Sequence, residues 1–319
     1  VNSVSSVDRE TDGEVIVVGG GVVGLTTAVV LAEAGRRVSV WTREPAEQTT
    51  SAVAGGLWWP YRIEPERLVG VWALETLAVY EELAADPGQT GVRLVDGVHQ
   101  GARLAELGDW AARVPGLRAV PDGLAARLPV IDMPTHLGWL RERLVRAGGT
   151  VVLREVADLA EVPAPVVVNC AGLGARSLAG DGTVRPVRGQ LVLVENPGID
   201  TYYTSVDHSS PVAAYFIPQP YGLILGGTAQ EDDWSLEPDP GTAAEIVARC
   251  ARVRPEIAGA RVLAHKVGLR PYRDAVRLER EVLDGGRVVV HSYGHGGAGV
   301  TVAWGCAREV AGSVLEPDA

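Results

Sequence analysis

Two glycine-rich turns near opposite ends of the chain carry its strongest chemical signal. Val15-Ile16-Val17-Val18-Gly19-Gly20-Gly21-Val22-Val23-Gly24 and Val290-His291-Ser292-Tyr293-Gly294-His295-Gly296-Gly297-Ala298-Gly299-Val300-Thr301 each run from a β-branched stretch into a helix-like one. Glycine lets backbone N–H groups approach an anionic ligand closely, at the positive end of a helix dipole. Gly19, Gly21 and Gly24 form G-x-G-x-x-G in a strand–turn–helix setting. The first permits the turn, the second admits a pyrophosphate beside the N–H groups of Val22 and Val23, and the third allows close helix–strand packing. Two such turns bracketing one chain point to a large dinucleotide held at two places, and flavin adenine dinucleotide (FAD) fits best.

An acid that holds an adenosine ribose is expected about 20 residues beyond the glycines. Glu44 lies there, past the end of the second strand and after Thr42 and Arg43. A solvated loop carboxylate is an equal reading, and Arg43 would instead suit a phosphorylated ribose, which keeps an NADP enzyme open. Thr49-Thr50-Ser51 sets three hydroxyls beside the small residues before Gly56 and Leu57, an arrangement suited to phosphate hydrogen bonding under a flat ring. Alone, it also reads as a polar loop. The six histidines and the three cysteines (Cys170, Cys250, Cys306) lack ligand spacing, so no metal is expected. Without a CxxC pair the cysteines read as buried thiols of a reduced chain, with one disulfide left open.

The elements that position these groups follow from periodicity. Val15–Val18 reads as a buried parallel strand, Val22–Ala34 as its helix closed by Gly35, and Arg37–Trp41 as the next strand of a βαβ unit. Residues 60–133 read as amphipathic helical pieces such as Leu68–Leu83 joined by Pro/Gly-punctuated connections. Thr135 is the expected cap of a helix with Leu137, Leu140, Leu144 and Val145 on one face. Strands are expected at Thr150–Leu153 and Pro165–Asn169, with short antiparallel strands over Arg188–Thr228. A hairpin should join Val276–Leu283 to Arg287–His291 through Asp284-Gly285-Gly286.

The expected fold class is therefore α/β. A discontinuous Rossmann-type FAD-binding domain takes 1–58, 135–185 and 268–319, and a second, substrate domain on a mixed or antiparallel sheet takes 59–134 and 186–267. The 319 residues, 46% of them hydrophobic, suffice for both. A net charge of −11 argues against nucleic acid or an anionic membrane as partner. The uncharged run Val15–Ala32 is long enough for a membrane span, but its glycines favour strand–turn–helix. The polar residues 1–14 do not read as a signal peptide, nor the last residues as a peroxisomal address, so the expected location is cytoplasmic.

Further motifs lie between the turns: Thr49 to Tyr61, Val168-Asn169-Cys170-Ala171-Gly172, Arg188-Gly189-Gln190, Gly268-Leu269-Arg270-Pro271 and Leu278-Glu279-Arg280-Glu281. The second turn continues into Trp304-Gly305-Cys306-Ala307. With these, nearly the whole chain resembles the D-amino-acid oxidase family of FAD enzymes. The resemblance implies oxidation of a D-amino acid to an imino acid, with oxygen reduced to peroxide. By position, Arg270 would hold the substrate carboxylate, Tyr215 would reach it with its hydroxyl, and the Gly297 carbonyl would accept from the amine. Gly296, Gly297, Ala298, Gly299, Val300 and Thr301 would lie near the flavin, and Val156, Cys170, Ala171 and Gly172 complete the cofactor set. Hydride would pass directly from the α-carbon to flavin N5, with no side chain acting as acid or base.

Departures from the family pattern concern the entrance. Pro211 stands where a second tyrosine is common, the loop Asp207–Ala214 is short, and Tyr202 and Tyr203 are weak candidates to compensate. Trp59 replaces a glutamine and either narrows the pocket or is a core residue. Neutral or apolar D-amino acids and molecular oxygen are the expected partners, and a homodimer is left open. D-aspartate would require a second cation, and glycine or sarcosine a smaller pocket.

Overall fold

Short β-branched runs without charge are stable only as strands covered on both faces, and these build the parallel part of the sheet. The structure, a computed structural model, describes residues 14–205, 212–283 and 285–315. Expectations for Pro211, most of the 207–214 loop, Asp284 and both termini lie outside the described residues. Strands Thr150–Leu153, Arg37–Thr42, Glu14–Val18, Val166–Asn169 and Val288–His295 run parallel in that order. Helix Val22–Glu33 follows the first glycine turn and helix Gly299–Leu315 the second, and the two pack together. Val15–Ala32 is thus a strand, a turn and a helix, and among the described residues no helix is long and apolar enough to cross a membrane.

The sheet does not end there. Strand Val262–Val282 pairs antiparallel with Val288–His295 near its C-terminal end and with Arg185–Val194 along its first half. Gly222–Thr228, Val212–Gln219 and Tyr202–Ser205 continue antiparallel, and Val92–Gln100 then adds parallel to Tyr202–Ser205. Gly123–Ile131 and Arg118–Val120 close that edge. Helix Pro240–Val253 covers one face of this half with Ala243, Ile246 and Cys250 against Phe216, Leu223 and Leu225.

Several expectations are corrected. Residues 60–133 hold strands as well as helix Glu66–Leu83: Arg93 and Asp96 break the apolar pattern of Val92–Gln100, and Arg127 is the one exposed position in the otherwise largely buried Gly123–Ile131. The strand expected from Val276 is the last part of a 21-residue strand. Asp132, not Thr135, caps helix Met133–Arg146, accepting from the Thr135 amide at 3.3 Å and from its hydroxyl at 2.7 Å. Pro134 in the first turn fits a start at that point, since its missing N–H is not needed there. Leu137, Leu140 and Leu144 are buried, but Val145 is 57% exposed. The three cysteines are buried and free.

Candidate active site

The first glycine turn is built from backbone packed on backbone. Gly19 has φ +116°, and a Cβ there would lie 2.3 Å from the Cys170 carbonyl oxygen. A Cβ on Gly24 would lie 2.0 Å from the Gly19 oxygen. Helix Val22–Glu33 starts at Gly21, which offers no side-chain cap, so the first-turn N–H groups beyond Val22 are left for a ligand. Of the three neighbouring hydroxyls only Ser51 reaches this helix end, accepting from the Val22 amide at 2.9 Å. Thr49 and Thr50 donate to the Ala46 and Leu269 carbonyls instead. An uncapped helix start beside bare glycines and one hydroxyl fits the pyrophosphate of a dinucleotide.

The side where the adenosine is expected is less occupied by fixed groups. Thr42 packs on Gly20 and donates to the Glu44 carbonyl at 2.8 Å, which brings Glu44 beside the turn. Arg43 is exposed and pairs with the Glu44 carboxylate at 3.5 Å. Val156 packs in the apolar cluster of Trp41, whose ring Arg154 covers at 3.9 Å. The Ala171 amide donates to Asn169, and Gly172 takes φ +57° against Pro271. Burial pushes the Cys170 thiol up to about 12, so it is no nucleophile.

The second turn meets the first: a Cβ on Gly299 would lie 3.6 Å from a Val23 methyl. Gly296 has φ +54° and spends its N–H on the Pro271 carbonyl at 2.8 Å, while the Ala298 amide donates to His295. Val300 accepts from the Tyr80 hydroxyl at 2.9 Å. Thr301 exchanges hydrogen bonds with the Trp59 backbone, accepting from its amide at 3.2 Å and donating to its carbonyl at 3.1 Å. His295 is buried and its Nε2 has no partner among the described residues. Burial holds that ring neutral, with its pKa down at about 4.

Arg270, Tyr215 and Gly297 converge here. The Arg270 guanidinium lies on Gly189, where a Cβ would come within 2.4 Å of it, and Nη1 donates to the Thr228 carbonyl at 2.9 Å. A Cβ on Gly297 would lie 3.2 Å from Arg270 Cδ. Tyr215 leans over Gly226 and Gly227, whose lack of side chains makes room for its ring. Burial raises the Tyr215 phenol, and hydrogen bonding to Arg270 together with its charge pulls it partly back. The phenol therefore keeps its proton and can donate.

Other motif residues hold this group in place. Arg188 is buried and binds the Ser235 and Glu237 carbonyls, while Gln190 brackets Asp239, so the pair fixes the loop beyond Thr228. Glu281 meets His291 at 3.0 Å, and His291 meets Asn169 at 3.3 Å, which ties the long strand to the end of Val166–Asn169. Buried Gln219 donates to the Gly55 and Ile131 carbonyls. Gly56 has φ +80°, its carbonyl accepts from the Ile131 amide, and Leu57 bridges to Val130.

Trp59 is neither free nor fully buried. It stacks on His99 with ring centroids 3.7 Å apart and meets Trp110 edge-on. His99 had no motif to mark it; its only signal was a polar residue at a buried position of strand Val92–Gln100. Tyr202 and Tyr203 do not replace an entrance tyrosine. Tyr202 is buried and donates to the Ala126 carbonyl, and Tyr203 lies on the opposite face, stacked on Phe216.

Comparison with known proteins gives a consistent set. A family model described as FAD dependent oxidoreductase (DAO) matches residues 14–312. A D-amino-acid oxidase of Streptomyces coelicolor is 68% identical over 314 residues, covering 96% of this chain and 98% of that protein. A D-amino-acid oxidase of Rubrobacter xylanophilus is 48% identical over 310 residues, covering 93% and 94%. The solved structure of glycine oxidase from Geobacillus kaustophilus has the same fold, with a TM-score of 0.76 at 20% identity over 96% of this chain and 95% of that one.

Proposed function

This chain belongs to the DAO family of FAD-dependent oxidoreductases, and we propose that it is an oxidase of neutral or apolar D-amino acids. The products are an imino acid, which hydrolyses to a 2-oxo acid and ammonia, and hydrogen peroxide. The observation that carries this reading is the meeting of Arg270, Tyr215 and Gly297 where the second glycine turn opens its helix. When bound, FAD supplies the two-electron acceptor for the substrate α-hydrogen and returns the electrons to oxygen.

The chain's own residues bind and orient. The planar fork of Arg270 matches a carboxylate, as a lysine would not. The protonated Tyr215 hydroxyl donates to the same carboxylate. The Gly297 carbonyl accepts a hydrogen bond from the substrate amine and so fixes its direction. With carboxylate and amine fixed, only one substituent of the α-carbon can face the cofactor, and the side chain takes the remaining direction. Chirality is thereby selected by position, without a catalytic acid or base. N–H groups at the start of helix Gly299–Leu315 supply positive potential beside the ring that gains charge.

We assign the pyrophosphate to Gly19–Gly24 and Ser51 and the ribose to Glu44, with Arg43 held in an ion pair. Free, buried thiols suit a cytoplasmic setting. The test is optical. The purified protein should show flavin bands between about 350 and 500 nm, and these should bleach anaerobically with D-alanine but not with L-alanine. Absence of the bands, or bleaching by the L-enantiomer, would overturn the proposal.

A further inference from the structure

One polar side chain beside Tyr215 has no part in the chemistry above. Strand Tyr202–Ser205 pairs antiparallel with Val212–Gln219, and Thr204 stands directly opposite Tyr215, so both side chains rise from the same face. Tyr215 leans the other way, over Gly226 and Gly227. Thr204 is left half-buried beside His99, which is fully buried under the Trp59 ring.

The hydrogen bonds around His99 fix which way each proton points. Tyr202 has one hydroxyl proton and donates it to the Ala126 carbonyl at 3.1 Å. Toward His99 Nε2, 3.3 Å away, the Tyr202 oxygen can then only accept. Burial keeps the His99 ring neutral, with its pKa down at about 3. A neutral imidazole that donates from Nε2 must accept at Nδ1. Thr204 Oγ1, 2.7 Å from Nδ1, is therefore the donor of that bond. Its single proton is committed inward, and on its open side, along the face it shares with Tyr215, the half-buried hydroxyl oxygen offers lone pairs alone.

We propose that Thr204 is a specificity-determining residue whose oxygen, oriented by His99, accepts a hydrogen bond from the substrate side chain. The wall formed by Trp59 and Thr204 then favours D-amino acids whose side chain carries a donor, such as a primary amide, over an apolar isostere. It disfavours a carboxylate, which brings only acceptors and a charge. His99 is a positioning residue: it touches no substrate and acts by orienting the Thr204 hydroxyl. This assignment rests on the oxidase reading above.

D-asparagine, D-leucine and D-aspartate have side chains of nearly the same shape and differ in this property. For the FAD-loaded enzyme, kcat/KM should place D-asparagine first and D-aspartate last. Thr204→Val keeps the shape and removes the oxygen, and should lower the D-asparagine to D-leucine ratio roughly tenfold, the worth of one hydrogen bond. Thr204→Ser should keep that ratio within about twofold, since the hydroxyl remains. A ratio unmoved by Thr204→Val, or a wild-type enzyme that prefers D-aspartate to D-asparagine, would overturn the assignment. The second measurement needs no variant and stands even where Thr204→Val does not fold. Failure of the wild type to oxidise any of the three, without bleaching by D-alanine, would instead overturn the oxidase reading.

Discussion

The two glycine turns look alike in sequence and are built on different supports. In the first, added side chains would strike main chain: Gly19 against the Cys170 carbonyl at 2.3 Å and Gly24 against the Gly19 carbonyl at 2.0 Å. In the second, the obstacles are side chains: Arg273 Cβ at 2.7 Å from Gly294, and Arg270 Cδ at 3.2 Å from Gly297. Backbone cannot step aside, nor can Arg273 Cβ, whereas Arg270 Cδ can turn about the bonds that precede it. The first turn is therefore held by main chain, which in the proposed reading serves to bring N–H groups to a phosphate. The second turn is packed on Arg270, so in the proposed reading one backbone would both border the cofactor and set the substrate anchor.

Substitution should separate the two. Gly24→Ala would gain about 1 kcal/mol of helix propensity, but the 2.0 Å approach to the Gly19 oxygen outweighs that gain. We expect a loss of more than about 4 kcal/mol of stability, read as a collapse of the thermal midpoint, with FAD absent from any protein recovered. A variant that purifies yellow with an unchanged midpoint would remove the backbone-locked picture of this turn.

Arg270→Ala tests the other support. The strand and the turn remain, so FAD should still bind. The carboxylate loses its anchor, and kcat/KM for D-alanine should fall about a hundred- to a thousandfold, with KM raised and kcat lowered together. Near-normal turnover would refute the anchor assignment. Gly297→Ala is milder. Its Cβ needs a few tenths of an ångström from Arg270 Cδ, 3.2 Å away. Retained flavin with roughly a tenfold rise in KM is expected; loss of flavin instead would mean that both turns are cofactor sites of one kind.

How far these supports could be read in advance differs along the same line. The unit Glu14–Thr42 was legible because its strands carry charge only at their first residues, Glu14 and Arg37, and its glycines fall at fixed spacing. Strands Val92–Gln100 and Gly123–Ile131 were not, since Arg93, Asp96 and Arg127 interrupt the apolar pattern on their open positions. Strand Val262–Val282 was seen only in part, because it serves two sheet environments and no single period runs through it. Among site residues, Arg270, Tyr215 and Gly297 sit in local motifs. Thr204 and His99 meet across strands more than 100 residues apart, and no spacing within one segment announces such a pair. Asp132 displaced Thr135 as helix cap because a proline in the first turn shifted the helix start.

The smallest expected effect concerns acid. No residue from Gly19 to Gly24 titrates, whereas the second turn contains His295, buried with its pKa down at about 4. An unfolded histidine has a pKa of about 6.5, so between 6.5 and 4 the unfolded chain takes up a proton that the folded one refuses. Stability is therefore complete above 6.5 and falls as pH drops through that window. His99 and His136, held at about 3 and about 4 by burial, and His291, also lowered by burial, act in the same direction. Between pH 7 and pH 6 each of His295, His99 and His136 should cost about 0.7 kcal/mol. His295→Gln removes one of these four histidines, so the fall in thermal midpoint over that step should shrink. An unchanged fall would place the acid sensitivity in residues other than His295, and this ring would then have no part in how the two turns differ.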